Sequence, residues 1–163
     1  MTIVPGGLDD PRVIALLEHH VSTARAATAR CGAHALDRDA LRAPTVHFWS
    51  AWDGDRVVGI GALKLLSDSH GEIKSMHTAE SHRRHGVGSA ILRHIIAVSR
   101  EISLSRLSLE TGSWPYFDAA RELYRRHGFV ECPPFGDYVL DANSVFMTLD
   151  FADARNEPAK SGA

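Results

Sequence analysis

Two groups of residues in this 163-residue chain have the types and spacing to do chemistry. The first is an anion cradle. Residues 83–89 read Arg83, Arg84, His85, Gly86, Val87, Gly88, Ser89, and apolar residues at Val87, Ile91, Ile95 and Val98 follow at helical spacing. The glycines therefore fall at a helix N-terminus, where the first backbone N–H groups lack intrahelical partners and the helix dipole adds partial positive charge. Such an end favours phosphate. Gly86 and Gly88 permit close approach of a ligand to the backbone, and Arg83 and Arg84 add charge-assisted hydrogen bonds to phosphate oxygens. The second group carries protons: Glu72 and Glu110 in apolar-rich strand patterns, and Tyr124 in a helical one. A carboxylate can take a proton from an amine and a phenol can give one to a leaving group.

A glycine pair before a helix also fits a tight turn with two surface arginines, and two better-known phosphate loops are excluded on their residues. A nucleotide P-loop requires lysine followed by Ser or Thr after its last glycine, and Ser89 follows Gly88. A dinucleotide fingerprint requires a third glycine where Ile91 stands.

The elements that must position these groups follow from periodicity and punctuation. Residues 2–5 suggest a short first strand. Asp10 before Pro11 is a helix N-cap signal, and Val13, Leu16, Leu17, Val21 and Ala24 keep one apolar face to about residue 29. Residues 32–44 show no clear pattern, with Leu36 and Leu41 as candidate anchors. Residues 45–52 and 56–66 read as strands joined at Asp53-Gly54-Asp55, and residues 71–78 (GEIKSMHT) as a third. A helix over 86–100, a strand over 104–111 and a helix over 116–127 ending at Gly128 come next. Strands at 129–131 and 144–149 complete the pattern.

Arg83-x-x-Gly86-x-Gly88 resembles the acyl-CoA pyrophosphate loop of the GNAT superfamily of N-acetyltransferases. The run from Ala120 to Phe129, with Tyr124 ahead of Gly128-Phe129, is similar to that family's second signature. The element order agrees with the family throughout, most strongly over 57–129. The resemblance implies an α/β fold of the α+β type. Its central, mostly antiparallel mixed sheet has about six to seven strands, splays between the fourth and fifth, and is flanked by helices. It implies acetyl-CoA as co-substrate, no metal, and direct transfer in a ternary complex to a primary amine of a small molecule or peptide. The alternative is a non-catalytic acyl-CoA-binding regulatory module.

By the same resemblance, residues 83–89 hold the pyrophosphate. A backbone amide in the stretch Met76, His77, Thr78 meets the thioester carbonyl, Glu72 is the base, and Tyr124 is the acid beside the thioester sulfur. Glu110 is a second candidate base, or lines the acceptor site. Many relatives place asparagine after the fifth strand to contact pantetheine; here Thr111-Gly112-Ser113 stands instead, so that either Thr111 or Ser113 substitutes or the contact is absent. Trp49, Phe135 and Asp137 are candidate acceptor-site residues. Each has an ordinary reading as well: Glu72 as a solvent-facing strand glutamate paired with Lys74, Tyr124 as an amphipathic residue packing its ring under the sheet with its hydroxyl in water, Trp49 and Phe135 as packing.

Length and composition set the outer bounds. One domain is expected over 1–152, with 153–163 as a loose tail. Hydrophobic residues at 44% and charged residues at 23% are ordinary for a globular chain. A net charge of −2 gives no electrostatic case for nucleic acid or an anionic membrane, and no apolar run reaches the length of a membrane span. Cys31 and Cys132 lack metal or redox spacing and the ten histidines are scattered. With no basic-then-apolar leader at the start, a reduced, cytoplasmic protein is expected. A homodimer is common in the family, but no feature of this sequence establishes one.

Overall fold

The computed structural model describes residues 1–28 and 38–151. In chain order the elements are β1 (Thr2–Pro5), α1 (Pro11–Thr28), β2 (Val46–Asp53), β3 (Arg56–Leu65), β4 (His70–Thr78), α2 (Val87–Glu101), β5 (Arg106–Gly112), α3 (Asp118–Arg126), β6 (Val130–Glu131) and β7 (Ser144–Asp150). The expected anchor Leu36, Cys31 and the C-terminal tail lie outside the described residues.

All seven strands form one sheet in the order β1-β2-β3-β4-β5-β7-β6. Neighbours are antiparallel except for the parallel β4–β5 pair. That pair is short. It runs from His70 opposite Arg106 to Ile73 opposite Leu109 and stops, although β4 continues to Thr78 and β5 to Gly112. The two strands therefore part, as the family resemblance implied. Just past that point β4 carries an extra residue against β3: Ala62 faces Lys74, while Ile60 faces His77. Ser75, within this bulge, has a positive φ of 55°.

Helices cover both faces. Helix α2 buries Val87, Ile91, Leu92, Ile95 and Ile96 in a core with Leu63, Ile73, Leu107, Leu109, Met147 and, from α3, Tyr124. Helix α1 buries Val13 and Leu17 on the opposite face against Phe48, Ile60 and Ala62, with Leu41. The start of α1 is fixed locally, because the Asp10 carboxylate accepts the Arg12 N–H at 2.9 Å with Pro11 in the first helical position. Helix α2 sits close to the sheet because β3 presents Gly59 and Gly61 beneath it. A Cβ on Gly59 would stand 2.6 Å from Ile91 Cδ1 and 2.9 Å from Val87 Cγ1. This close seat brings the first turn of α2 beside the end of β4.

Two starts differ from the periodicity by more than a single residue. Strand β5 begins at Arg106 instead of Leu104, because the Leu104 N–H still bonds to the Ser99 carbonyl at 2.9 Å in the turn that closes α2. Leu104 is nonetheless buried in the core. Helix α3 begins at Asp118, preceded by a single 3-10 turn over Pro115–Phe117, where the Phe117 ring lies against Gly112.

The tight α2 seat is testable. Gly59→Ala overpacks the α2–β3 contact and should lower unfolding free energy by about 1–3 kcal/mol, measured as a fall in the urea midpoint without a change in slope.

Candidate active site

The loop that joins β4 to α2 first makes a 3-10 turn over Glu80–His82, then passes through Arg84 with φ 63° and Gly86 with φ 79°. Both lie in the left-handed region, which only glycine adopts without cost. Helix α2 then starts with no side chain capping its N-terminus, so its first N–H groups face outward unoccupied by protein side chains. Arg83, Arg84, His85 and Gly86 are all exposed. His85 Nδ1 donates to the Arg83 carbonyl at 2.8 Å, and Arg83 approaches Glu80 only to 4.0 Å. Gly88 lies against α3 and β4 together: a Cβ there would be 3.2 Å from Leu123 Cδ2 and 3.5 Å from Thr78 Oγ1. The cradle is thus built where β4, α2 and α3 meet.

Along β4 the side chains alternate, with one interruption at the bulge. Met76 faces the α2 side, its sulfur 3.0 Å from where a Gly61 Cβ would be. His77 faces the α1 side, where its Nδ1 lies 3.1 Å from His20 Nδ1. Both rings are held neutral. Burial, reinforced by His19, brings His20 down to about 4, and burial with the neighbouring His20 brings His77 down to about 3. Thr111, near the end of β5, pairs with Val145 of β7 beyond the point where β5 leaves β4.

The proton carriers gather around the parting of β4 and β5. Glu72 is only 3% exposed, and its Oε1 accepts from Lys74 Nζ at 3.2 Å and from the Tyr138 hydroxyl at 2.6 Å. Lys74 Nζ also donates to the Tyr138 hydroxyl at 2.8 Å, closing a triangle. Burial and the adjacent Glu72 hold the Tyr138 hydroxyl firmly protonated. Glu110 is pushed up to about 7, chiefly by burial. Ser144, through a hydrogen bond, and Lys74, by its charge, pull the other way; Glu72 and Asp141 raise it further. Tyr124 is buried with its ring 5.8 Å from that of Phe129. Burial and the charge of Glu110 raise its pKa well above that of a free phenol and keep it protonated.

Phe135 joins the same region, its ring 5.6 Å from His70, 5.2 Å from Tyr138 and 5.9 Å from Phe146. Asp137 is exposed at the turn beside it. Trp49 is not brought to this cluster. It lies 6% exposed in the core on the α2 side, 5.2 Å from the His94 ring. Sequence reasoning pairs Glu72 with Lys74 at a solvent-facing position, whereas the structure buries both beneath Tyr138, which bonds to each. That reasoning missed the bond from Tyr138, which crosses 66 residues of chain, and the His20–His77 contact; neither has a local signal. Among the described residues no group of three or more His, Cys, Asp or Glu is placed to hold a metal ion, and no helix is long and apolar enough to cross a membrane.

A glycine-bent loop thus precedes an uncapped helix beside a parted parallel strand pair, and comparison with known proteins gives the family of the chain that carries them. The profile of the Acetyltransferase (GNAT) family matches residues 13–129. YedL of Escherichia coli K12, named as an uncharacterized N-acetyltransferase, is 48% identical over 157 residues, covering 96% of this chain and 99% of its own. YsnE of Bacillus subtilis 168, named likewise, is 48% identical over 137 residues, covering 84% and 91%. A crystal structure of a putative acyl-CoA N-acyltransferase from Klebsiella pneumoniae superposes with a TM-score of 0.72 at 28% identity, covering 91% of this chain and 96% of that one. With the family profile spanning most of the chain and relatives that match nearly end to end, the chain belongs to the GNAT family and is an N-acetyltransferase.

Proposed function

We propose that this enzyme moves the acetyl group of acetyl-CoA directly to a primary amine of a small molecule or peptide in a ternary complex, with Glu110 as the base and Tyr124 as the acid. The observation that carries this reading is the pairing of a carboxyl poised near 7 with a phenol held protonated, both at the place where β4 and β5 part. Two titratable groups whose surroundings push them to opposite tasks are the usual mark of an acid–base pair.

The residues fit acetyl-CoA. Gly86 bends the loop so that the uncapped first turn of α2 meets the pyrophosphate, and Arg83 and Arg84 reach it from the exposed side. The parted strands leave backbone groups of Met76, His77 and Thr78 outside the β4–β5 ladder, where an N–H can face the thioester carbonyl. Thr111 lines the opposite strand. The co-substrate supplies an activated acetyl thioester. Glu110 accepts the proton that the incoming ammonium must lose, directly or through a water. The amine nitrogen then bonds to the acetyl carbon, and a backbone N–H of β4 stabilises the negative charge gathering on its oxygen. As the carbon–sulfur bond breaks, Tyr124 gives its hydroxyl proton to the sulfur, and the second proton shed by the new amide nitrogen returns to the Tyr124 oxygen, directly or through water.

Glu72 fits less well as the base, since its oxygen already accepts from Lys74 and Tyr138. Phe135 and Asp137 stand on the segment that borders this side and are proposed to contact the acceptor.

Three outcomes are expected. Tyr124→Phe should lower kcat by about a hundredfold while the KM for acetyl-CoA changes less than about twofold; equal turnover would remove Tyr124 from the reaction. Amine-dependent thiol release should rise with pH through about 7 as Glu110 loses its proton, and Glu110→Gln should abolish that step together with at least a hundredfold of the rate, as expected for a lost general base (about 10²–10⁴). Gly86→Val places a β-branched residue at a left-handed angle that costs about 1–2 kcal/mol. Calorimetric titration should then show acetyl-CoA binding weakened by about tenfold, and unchanged binding in the folded variant would separate the loop from the co-substrate.

A further inference from the structure

The buried ion pair on β4 stands opposite the base. In the parallel ladder Glu72 faces Ser108. Side chains two residues on share a strand face, so Lys74 and Glu110 are the next residues on that same face, one on each side of the gap where the ladder has ended. Lys74 is 9% exposed and Glu72 3%. Their arrangement is fixed by three hydrogen bonds: Lys74 Nζ to Glu72 Oε1 at 3.2 Å, Tyr138 hydroxyl to Glu72 Oε1 at 2.6 Å and Lys74 Nζ to the Tyr138 hydroxyl at 2.8 Å. Tyr138 is brought in by the irregular segment between β6 and β7 and is wedged there by ring contacts to Phe135 and Phe146, at 5.2 and 5.4 Å.

We infer that Glu72 and Lys74, locked together by Tyr138, are positioning residues that place a compensated pair of charges across the gap from Glu110 and so set how readily it takes the acceptor's proton. The inference rests on the reading of Glu110 as the base. A buried ion pair of this kind is a poor source of stability, because both ions must be desolvated; its value here is electrostatic. Lys74 favours the ionised form of Glu110 and Glu72 opposes it, while burial is the largest cause of its upward shift. The other groups facing this pair and Glu110 are Tyr124 from α3, Tyr138 and Asp141 from the segment between β6 and β7, Ser144 from β7, and His70, which Glu72 influences from the start of β4.

The test reads Glu110 itself and needs no acceptor. The full-length protein is labelled with glutamate carrying ¹³C at the side-chain carboxyl, titrated by NMR, and the Glu110 signal is assigned by its loss in Glu110→Gln. Glu72→Gln removes the negative charge that opposes ionisation of Glu110 and should lower the Glu110 midpoint by about one pH unit. Adding Lys74→Met to that variant should raise the midpoint again by a similar amount. A purely structural role for the pair predicts no such pair of opposite shifts between variants with the same thermal stability. A midpoint that stays put in Glu72→Gln, or that fails to climb when Lys74 is then removed, would overturn the inference. The reading beneath it is judged separately: if Glu110→Gln keeps wild-type amine-dependent thiol release, Glu110 is not the base, whatever its midpoint does.

Discussion

The fold depends on a ladder that ends early. Strands β4 and β5 exchange backbone hydrogen bonds only from His70–Arg106 to Ile73–Leu109 and then diverge, although each continues as a strand supported by its other neighbour, β3 on one side and β7 on the other. A ladder that stops inside a sheet leaves backbone donors and acceptors that must find partners elsewhere. In this protein that unmet demand is where an extended, amide-rich co-substrate arm can be accepted. The sheet tolerates the break because the two halves are bridged above it: Ile91, Ile95 and Tyr124 share one core with Ile73 from β4 and Leu107, Leu109 and Met147 from β5 and β7. Hydrophobic packing holds together what hydrogen bonding leaves open.

The same constraint sorts the ionisable groups. A carboxylate in a closed sheet interior would be driven neutral or excluded, and one at the surface would titrate as it does in water. The parting creates an intermediate place. Glu72, beside the intact ladder, is buried deeply enough to require Lys74 and Tyr138. Glu110, slightly further along, is desolvated but not matched one-to-one with a cation and is left near neutrality. Tyr124 enters from the opposite face and feels the charge of Glu110. Two residues of separation along neighbouring strands thus divide a carboxylate held in an ion pair from one left near neutrality.

The sequence made legible what local pattern encodes. The Asp10-Pro11 start of α1, the Asp53-Gly54-Asp55 hairpin, the glycines ahead of α2 and the apolar spacing within it all belong to neighbouring residues, and each element stands where those residues indicate. Residue resemblance also supplied the splay, which no periodicity reveals. The site was legible only in part. Glu72, Glu110 and Tyr124 announced themselves by type, but their division of labour depends on burial and on Tyr138, and these are properties of the assembled chain. Trp49 shows the converse: an aromatic residue on a strand reads equally as pocket or core until the sheet's two faces are assigned, and the Gly61 opposite it turns that face toward α2. The start of β5 was displaced for a similar reason, since the turn that ends α2 claims the Leu104 N–H before the sheet can.

The contact between His20 and His77 has a consequence for the orientation of α1. Their Nδ1 atoms are 3.1 Å apart and both rings are neutral, so a single hydrogen must lie between the two nitrogens and the rings must adopt opposite tautomers. His77 Nε2 is buried without a protein partner among the described residues. A stranded N–H is the rarer arrangement in protein interiors, so the less costly assignment puts the shared hydrogen on His77 and leaves its far nitrogen as a bare lone pair. His20 then carries its own hydrogen on the far side of its ring. The first helix is therefore joined to the strand beneath it by a bond with a direction, donor on the strand and acceptor on the helix, which a pair of apolar side chains of the same size would not impose.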